Sequence, residues 1–254
     1  MLGVAAWPLK RRGERGALAS LYQTGVAVRR FTIQRIQRYL MLISFAALLG
    51  IAVIAWQIAS QDFVAVLFNK DIALISGHAG NDSGAICVDA DGKTTITEAE
   101  INASIAHLVA QRLRRAGAKV TLLEEFDSRL QGLQANILLS LHADSCINQS
   151  GYKAASSPDS PISTINAQLI TCINQFYPAA TGLTLNSDTI THNMTDYHAF
   201  RQIDPTTPAA IIETGFLGGD QDLLVKRPDV AAKGIIDSLI CFFEKNQLEK
   251  AATP

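Results

Sequence analysis

Beyond residue 70, hydrophobic positions follow two alternating patterns. Short runs rich in apolar residues predict strands at 72–76, 119–123, 137–141 and 209–213, and those at 72–76 and 209–213 are expected to be buried. Longer segments with an apolar residue every three or four positions predict amphipathic helices, at 98–116, 165–176 and 229–244. Thr97 is suited to cap the first helix and Gly117 to end it, and a short edge strand is expected from 151. We therefore expect an α/β fold: a single domain with a mostly parallel central sheet covered by helices on both faces.

A different pattern precedes this domain. Residues 39–61 carry no charge, and 40–56 are almost wholly apolar. A helix over 40–56 would reach about 26 Å, and the aromatic residues Tyr39 and Trp56 at its ends extend it toward the roughly 30 Å hydrocarbon core of a bilayer. The pattern predicts one N-terminal transmembrane helix.

The distribution of charge gives this helix a direction. The whole chain of 254 residues has a formal net charge of −1, so it has no global basic field that would attract nucleic acid. The first 38 residues hold eight basic residues and one acid, which leaves 14 basic and 22 acidic residues in 39–254. Positive charge before the span predicts a cytoplasmic N-terminus and an extracytoplasmic remainder at the cell membrane. The alternative is a cleaved signal peptide, but nearly forty residues before the span favour an uncleaved signal anchor.

Four cysteines follow the span, and none belongs to a CxxC pair, so a cysteine-only zinc site is not expected. If the domain is extracytoplasmic, disulfides are permitted, and Cys87, Cys146, Cys172 and Cys241 allow three full pairings. The sequence does not choose among them. It leaves equally open that all four are buried small hydrophobic residues.

Chemically useful side chains follow the predicted strands. His78 comes just after the first strand, His142 just after strand 137–141, and Glu213 is the last residue of strand 209–213. In open α/β sheets, functional groups gather at the carboxyl ends of strands, so these three are expected to lie close together. Glu98, in the first turn of the helix that follows the first loop, can join them. Two imidazoles and carboxylates form a mixed nitrogen and oxygen set that suits zinc.

At these residues the chain resembles the zinc-dependent N-acetylmuramoyl-L-alanine amidases, which hydrolyse peptidoglycan. That family carries a glycine-rich GHGG-type loop, an E-x-x-x-N helix start, an S-I-H-A motif and an E-T-G-F motif. Here the four motifs stand in the family's order as Gly77-His78-Ala79-Gly80, Glu98-Ala-Glu-Ile-Asn102, Ser140-Leu141-His142-Ala143 and Glu213-Thr214-Gly215-Phe216. Each motif alone is weak, but four in order at strand ends are specific.

The resemblance implies an enzyme and its parts. His78, Glu98 and His142 match the family's zinc ligands, and Glu213 matches its catalytic carboxylate. The implied reaction is hydrolysis of the amide bond between N-acetylmuramic acid and L-alanine by zinc-activated water, with peptidoglycan as substrate. The resemblance covers 69–246, and with the charge and hydropathy patterns it predicts a basic cytoplasmic tail, a transmembrane signal anchor, a linker, a zinc amidase-like catalytic domain and a flexible C-terminal tail, at 1–38, 39–61, 62–68, 69–246 and 247–254. The need for a protein activator stays open.

Several alternatives remain at this stage. Glu100 competes with Glu98 for the ligand role, although residues two apart on a helix do not face the same point. The segment after strand 119–123 lacks the family's Thr-Arg pair and contains Glu124 and Glu125 instead. His198 is a candidate groove residue, with structural packing favoured. Two other functions compete with the amidase: a membrane-anchored, non-catalytic peptidoglycan-binding or regulatory module, and a zinc amidohydrolase or peptidase of other specificity.

Overall fold

The computed structural model describes residues 35–53 and 65–252, with side chains to residue 248. The chain divides into two compact units, Met1–Ser60 and Gln61–Pro254. In the first unit, helix α1 (Arg35–Val53) has a mean hydropathy of 1.8 and no buried residues, and by length and composition it can cross a membrane. This helix begins before the predicted span of 39–61, and residues 54–61 of that span lie outside the described residues.

The second unit is the predicted α/β domain. Its strands are β1 (Asp71–Ser76), β2 (Ile86–Val88), β3 (Thr94–Thr97), β4 (Lys119–Leu123), β5 (Ile137–Asp144), β6 (Lys153–Ala155) and β7 (Ala209–Phe216). Its α-helices are α2 (Glu98–Arg115), α3 (Ser163–Thr181), α4 (His192–Thr195), α5 (Gln221–Leu224) and α6 (Pro228–Ala252), with 3-10 turns at Ser128–Leu130, Ser187–Thr189 and His198–Arg201.

Five of these strands form one sheet in the order β4-β1-β5-β7-β6. Strands β4, β1, β5 and β7 pair in parallel, and β6 adds to β7 as an antiparallel edge strand. The mostly parallel sheet and its edge strand are therefore confirmed. The β2–β3 hairpin forms a separate two-stranded sheet that the hydrophobic pattern did not predict, because its strands are short and largely exposed.

The two faces of the main sheet are covered differently. Alternate strand residues such as Leu74 and Leu139 pack against the long helices α2, α3 and α6. Their neighbours Ile75 and Leu138 face a smaller cluster built from loops and short helical segments, including Leu130, Met194 and Tyr197. Because side chains alternate along a strand, His142 and Glu213 face this second side of the sheet.

Helix α2 starts where its sequence predicts. The Thr97 hydroxyl accepts a hydrogen bond from the Glu100 backbone N–H, and the Glu100 carboxylate accepts one from the Thr97 backbone N–H. This reciprocal capping box satisfies two N–H groups that the helix itself cannot satisfy. It also sets where the first turn begins, and thereby places Glu98 beneath the end of the sheet.

The structure contains two disulfides, which correspond to one of the three possible cysteine pairings. Cys87 in β2 bonds to Cys146 just after β5, and Cys172 in α3 bonds to Cys241 in α6. The first disulfide ties the hairpin that precedes Glu98 to the segment that follows His142. The second ties together two helices of the larger core.

The structure differs from the predicted boundaries at both ends of the domain. Leu67, assigned by its sequence to a linker, is fully buried in the larger core. Helix α6 continues to Ala252, through most of the segment expected to be a flexible tail. That segment is rich in Ala, Lys, Glu, Gln and Leu, which are good helix formers.

Candidate metal site

His78, Glu98 and His142 come together at the carboxyl edge of the sheet, as the motif positions predict. One ligand atom from each lies within 4.8 Å of the others. His142 and Glu213 lie inside β5 and β7 and not after them, because the pairing of the two strands continues and places these residues side by side. Strand β5 therefore ends at Asp144 and not at 141, and β7 ends at Phe216 and not at 213.

His78 is held in an unusual backbone conformation. Its φ of +64° lies in the left-handed region, and its carbonyl accepts hydrogen bonds from the backbone N–H groups of Asn81 and Asp82. The Asp82 carboxylate lies 2.5 Å from His78 Nδ1, which leaves Nε2 to face Glu98 at 3.2 Å. The contact with Glu98, and to a smaller extent that with Asp82, raises the pKa of His78 to about 9.

Glu98 is the buried centre of the cluster. Its Oε1 lies 3.1 Å from His142 Nδ1, and the Asn102 side-chain amide donates to the same oxygen. Burial by itself would raise the pKa of Glu98, but the hydrogen bonds with His142 and His78 outweigh it and lower the pKa well below its usual range. Glu100, the rival ligand, is held by hydrogen bonds with Thr97 in the capping box and does not belong to the group of converging ligand atoms.

His142 packs tightly against the loop that follows β1. A Cβ added to Gly77 would lie 2.5 Å from the His142 ring, so only glycine allows the backbone this close. Burial alone would lower the pKa of His142, but the hydrogen bond with Glu98 and the charges of nearby carboxylates outweigh it, and the pKa is raised. The Nε2 atom of this ring is buried and has no hydrogen-bond partner.

This donor set fits a metal ion. Two histidine nitrogens and a carboxylate that stays ionised, all converging on one point, are the ligands of many hydrolytic zinc sites. The cluster is the one group of three or more histidine, cysteine or acidic side chains with such geometry among residues 35–53 and 65–252.

Glu213 stands beside His142 in the next strand, and its Oε2 is buried without a hydrogen-bond partner. Burial is the main cause that raises the pKa of Glu213 to about 7, with the charges of Glu98 and Asp144 acting in the same direction. A carboxylate with a pKa near neutrality can both accept and return a proton at physiological pH.

A lysine completes the row of paired residues across the sheet. Lys153 in β6 is opposite Glu213 in β7, and its Nζ lies 2.5 Å from Asp144 Oδ2 and donates to the Thr189 carbonyl. The positive charge of Lys153 is one of the influences that lower the pKa of Glu213. Neither Lys153 nor Asp144 was singled out from the sequence. Their strands, β6 and β5, lie on either side of β7, and the sequence does not show this strand order.

A second buried carboxylate, that of Glu125, lies beside the cluster and was not predicted from the sequence as a site residue. Glu125 follows β4, accepts a hydrogen bond from the His78 backbone N–H at 2.9 Å, and contacts His198 Nε2 at 2.9 Å. Burial would raise the pKa of Glu125, but the hydrogen bond with His198 and the charge of His142 lower it to about 2. Two adjacent glutamates just after the carboxyl end of β4 were the available signal. His198 therefore joins the cluster through Glu125.

Comparisons with known proteins agree with this arrangement. A family profile described as N-acetylmuramoyl-L-alanine amidase matches residues 72–240. The solved amidase Ami1 from Mycobacterium smegmatis is 16% identical with a TM-score of 0.55, covering 70% of this chain and 99% of that chain. The CwlD amidase from Clostridioides difficile, solved in complex with the GerS lipoprotein, is 20% identical with a TM-score of 0.50, covering 72% and 100%. No curated protein matches the chain.

The fold and the cluster define a hydrolase domain of the α/β class. The profile spans most of that domain, from β1 into α6, and includes every candidate site residue. The chain belongs to the N-acetylmuramoyl-L-alanine amidase family, and it is a cell-wall hydrolase that acts on peptidoglycan.

Proposed function

We propose that this chain cleaves the amide bond between N-acetylmuramic acid and L-alanine with a zinc ion held by His78, Glu98 and His142. The observation that carries this proposal is the convergence of the three ligand atoms within 4.8 Å, beside a buried carboxylate with an unsatisfied oxygen. When bound, zinc supplies Lewis acidity, which polarises a carbonyl and makes a water molecule easier to deprotonate.

Glu213 is the proton-transferring group in this proposal. Its buried Oε2 has no partner within the described residues, so it is available to accept a proton from the attacking water. The same carboxyl group then returns the proton to the leaving amine of L-alanine. Backbone pairing holds this carboxylate beside the ligands, because Glu213 in β7 pairs with His142 in β5 on one side and with Lys153 in β6 on the other.

The reaction is tested by identifying its products. Purified protein incubated with peptidoglycan should release stem peptides with an L-alanine amino terminus and leave the glycan strands intact, as read by mass spectrometry. Release of shorter peptides, or deacetylated sugars, would assign the site to another amide. Binding to peptidoglycan without any product would assign the chain to the non-catalytic alternative.

The role of Glu213 is tested by Glu213→Gln, which keeps the shape of the side chain but cannot accept the proton. Turnover should fall by about 10²–10⁴-fold, the usual contribution of a positioned acid–base group, while zinc content stays near one per chain. Glu244→Gln, on the exposed side of α6, is the control and should retain full turnover. Equal turnover in the two variants would exclude the proposed role.

The metal ligands are tested by metal content. His142→Ala should abolish stoichiometric zinc in the purified protein and lower its thermal stability, because metal binding is coupled to the folded state. Full zinc content in this variant would show that the proposed ligand set is incorrect.

We further propose that α1 anchors the chain in the cell membrane, with the N-terminus cytoplasmic and the hydrolase unit outside. The exposed apolar surface of α1 and the basic residues that precede it support this orientation. Protease added to intact spheroplasts should digest the hydrolase unit. Digestion only after lysis would refute the orientation, and recovery of a soluble form lacking α1 from the medium would favour a cleaved signal sequence.

A further inference from the structure

The buried carboxylate of Glu125 has no part in the proposed hydrolysis, yet every contact it makes leads to the metal site. Its Oε2 accepts the His78 backbone N–H at 2.9 Å and lies 3.5 Å from His142 Nε2. Its Oε1 accepts the Tyr197 hydroxyl at 2.8 Å and contacts His198 Nε2 at 2.9 Å. Glu125 therefore connects the loops after β1 and β4 with strand β5 and the 3-10 turn at His198–Arg201.

The orientation of the His142 ring indicates a role for Glu125. Nδ1 of His142 faces Glu98, the carboxylate of the proposed ligand set, at 3.1 Å. A neutral imidazole that offers Nδ1 as a ligand carries its proton on Nε2. That Nε2 atom is buried and has no hydrogen-bond partner, and Glu125 is the carboxylate it faces.

We propose that Glu125 is a positioning residue that accepts the Nε2 proton of His142 as a hydrogen bond and thereby holds the ring with Nδ1 toward the metal. This inference rests on the proposed ligand set. Metal-binding histidines nearly always donate their second ring N–H to such an acceptor, which fixes the tautomer and the orientation of the ring. The first ligand shows the same arrangement, since Asp82 contacts His78 Nδ1 while Nε2 faces Glu98.

The Glu125 carboxylate is held near His142 by other hydrogen bonds. The separation of 3.5 Å exceeds an ordinary N–H···O distance by about 0.5 Å, a gap that a small rotation of the ring closes. Glu125 itself is anchored from the other side: the Tyr197 hydroxyl donates to it and accepts from the buried Ser140 hydroxyl at 3.0 Å. The acceptor is thus fixed by hydroxyl donors as well as by its contact with the His142 ring.

The test compares Glu125→Gln with Glu124→Gln, which removes the same charge from the exposed neighbouring position. Zinc affinity, measured by competition with a chelator, should fall by about 10–100-fold in Glu125→Gln and change less than about twofold in Glu124→Gln. Unchanged affinity in Glu125→Gln overturns the inference. A loss beyond about a thousandfold also overturns it, because it would make Glu125 a direct ligand.

A spectroscopic readout separates positioning from general structural support. In zinc-bound wild-type protein, ¹⁵N-edited NMR of the His142 ring should show a proton on Nε2 and a metal-bound Nδ1. In Glu125→Gln the Nε2 proton should shift upfield or broaden through exchange with water. A proton on Nδ1 in the wild type would refute the proposal.

A second variant covers the case in which Glu125→Gln does not fold. Tyr197→Phe removes one anchor of Glu125 and leaves the carboxylate in place, so it should lower zinc affinity by a smaller factor and shift the same NMR signal. No shift in this variant counts against the inference. If the wild-type protein binds no zinc through His142, the proposed function is wrong. If the wild-type protein binds zinc through His142 but the two variants change neither the zinc affinity nor the NMR signal, only the inference about Glu125 is wrong.

Discussion

Zinc affinity should rise steeply with pH between about 6.5 and 9, because protons and the metal compete for the same histidine nitrogens. In the metal-free fold, the contact with Glu98 raises the pKa of His78 to about 9. The pKa of His142 is also raised, since its hydrogen bond with Glu98 outweighs the effect of burial. His78 therefore holds a proton at neutral pH, whereas a metal ligand must be neutral.

The size of the effect follows from these values. Displacing the proton of His78 at pH 7, below a pKa of about 9, weakens binding by about 100-fold, or tenfold per pH unit. The raised pKa of His142 acts in the same direction, so log affinity should rise with a slope of at least about 1. Glu98 adds no slope, because its lowered pKa keeps it ionised throughout this range.

The stability of the metal-free fold should change in the opposite direction. The raised pKa of His78 stabilises the folded state fully below the unfolded-state pKa of 6.5, and this contribution is lost as the pH rises through about 9. The free energy of unfolding of the metal-free domain should therefore fall over the window in which zinc affinity increases.

The assay is competition with a chromophoric chelator from pH 6 to 8.5 at constant ionic strength, corrected for protonation of the chelator. Asp82→Asn removes one contact that raises the pKa of His78, so the rise in affinity should level off at lower pH. An affinity that stays flat between pH 6.5 and 8.5 would refute the reasoning, since it would mean that neither histidine exchanges a proton for the metal.

Three further outcomes are expected. Gly77→Ala should lower zinc affinity in the chelator assay, because the new Cβ would lie 2.5 Å from the His142 ring and displace it; wild-type affinity would contradict the close approach. Replacing Cys87 and Cys146 by serine should cost about 2–4 kcal/mol in urea denaturation and also weaken zinc binding, whereas removing the disulfide between α3 and α6 should affect stability alone. Leu139→Ala, at a site 1% exposed, should cost about 2–5 kcal/mol of unfolding free energy with metal stoichiometry retained, and a loss below about 1 kcal/mol would mean that the core is loosely packed there.

The sequence by itself determined the class of fold and the elements that carry it. Strands buried on both faces must be uniformly apolar, and helix α2 must present an apolar stripe after a capping residue, so both can be recognised from local composition. The strand ends then indicated which histidines and glutamates meet, because parallel strands bring their carboxyl ends to one edge. The β2–β3 hairpin escaped this reasoning because it buries too little of either strand.

Only the tertiary structure decided which of the neighbouring groups act together. The motif spacing favoured Glu98 over Glu100, and the fold decides between them because the capping box holds Glu100 while Glu98 lies between the histidines. The partners of the four cysteines and the contact of Glu125 with His142 depend on distances between segments far apart in the chain. Local patterns report the burial of a residue and its neighbours along one element, whereas a metal site, a disulfide or a buried carboxylate is defined by which elements fold against each other.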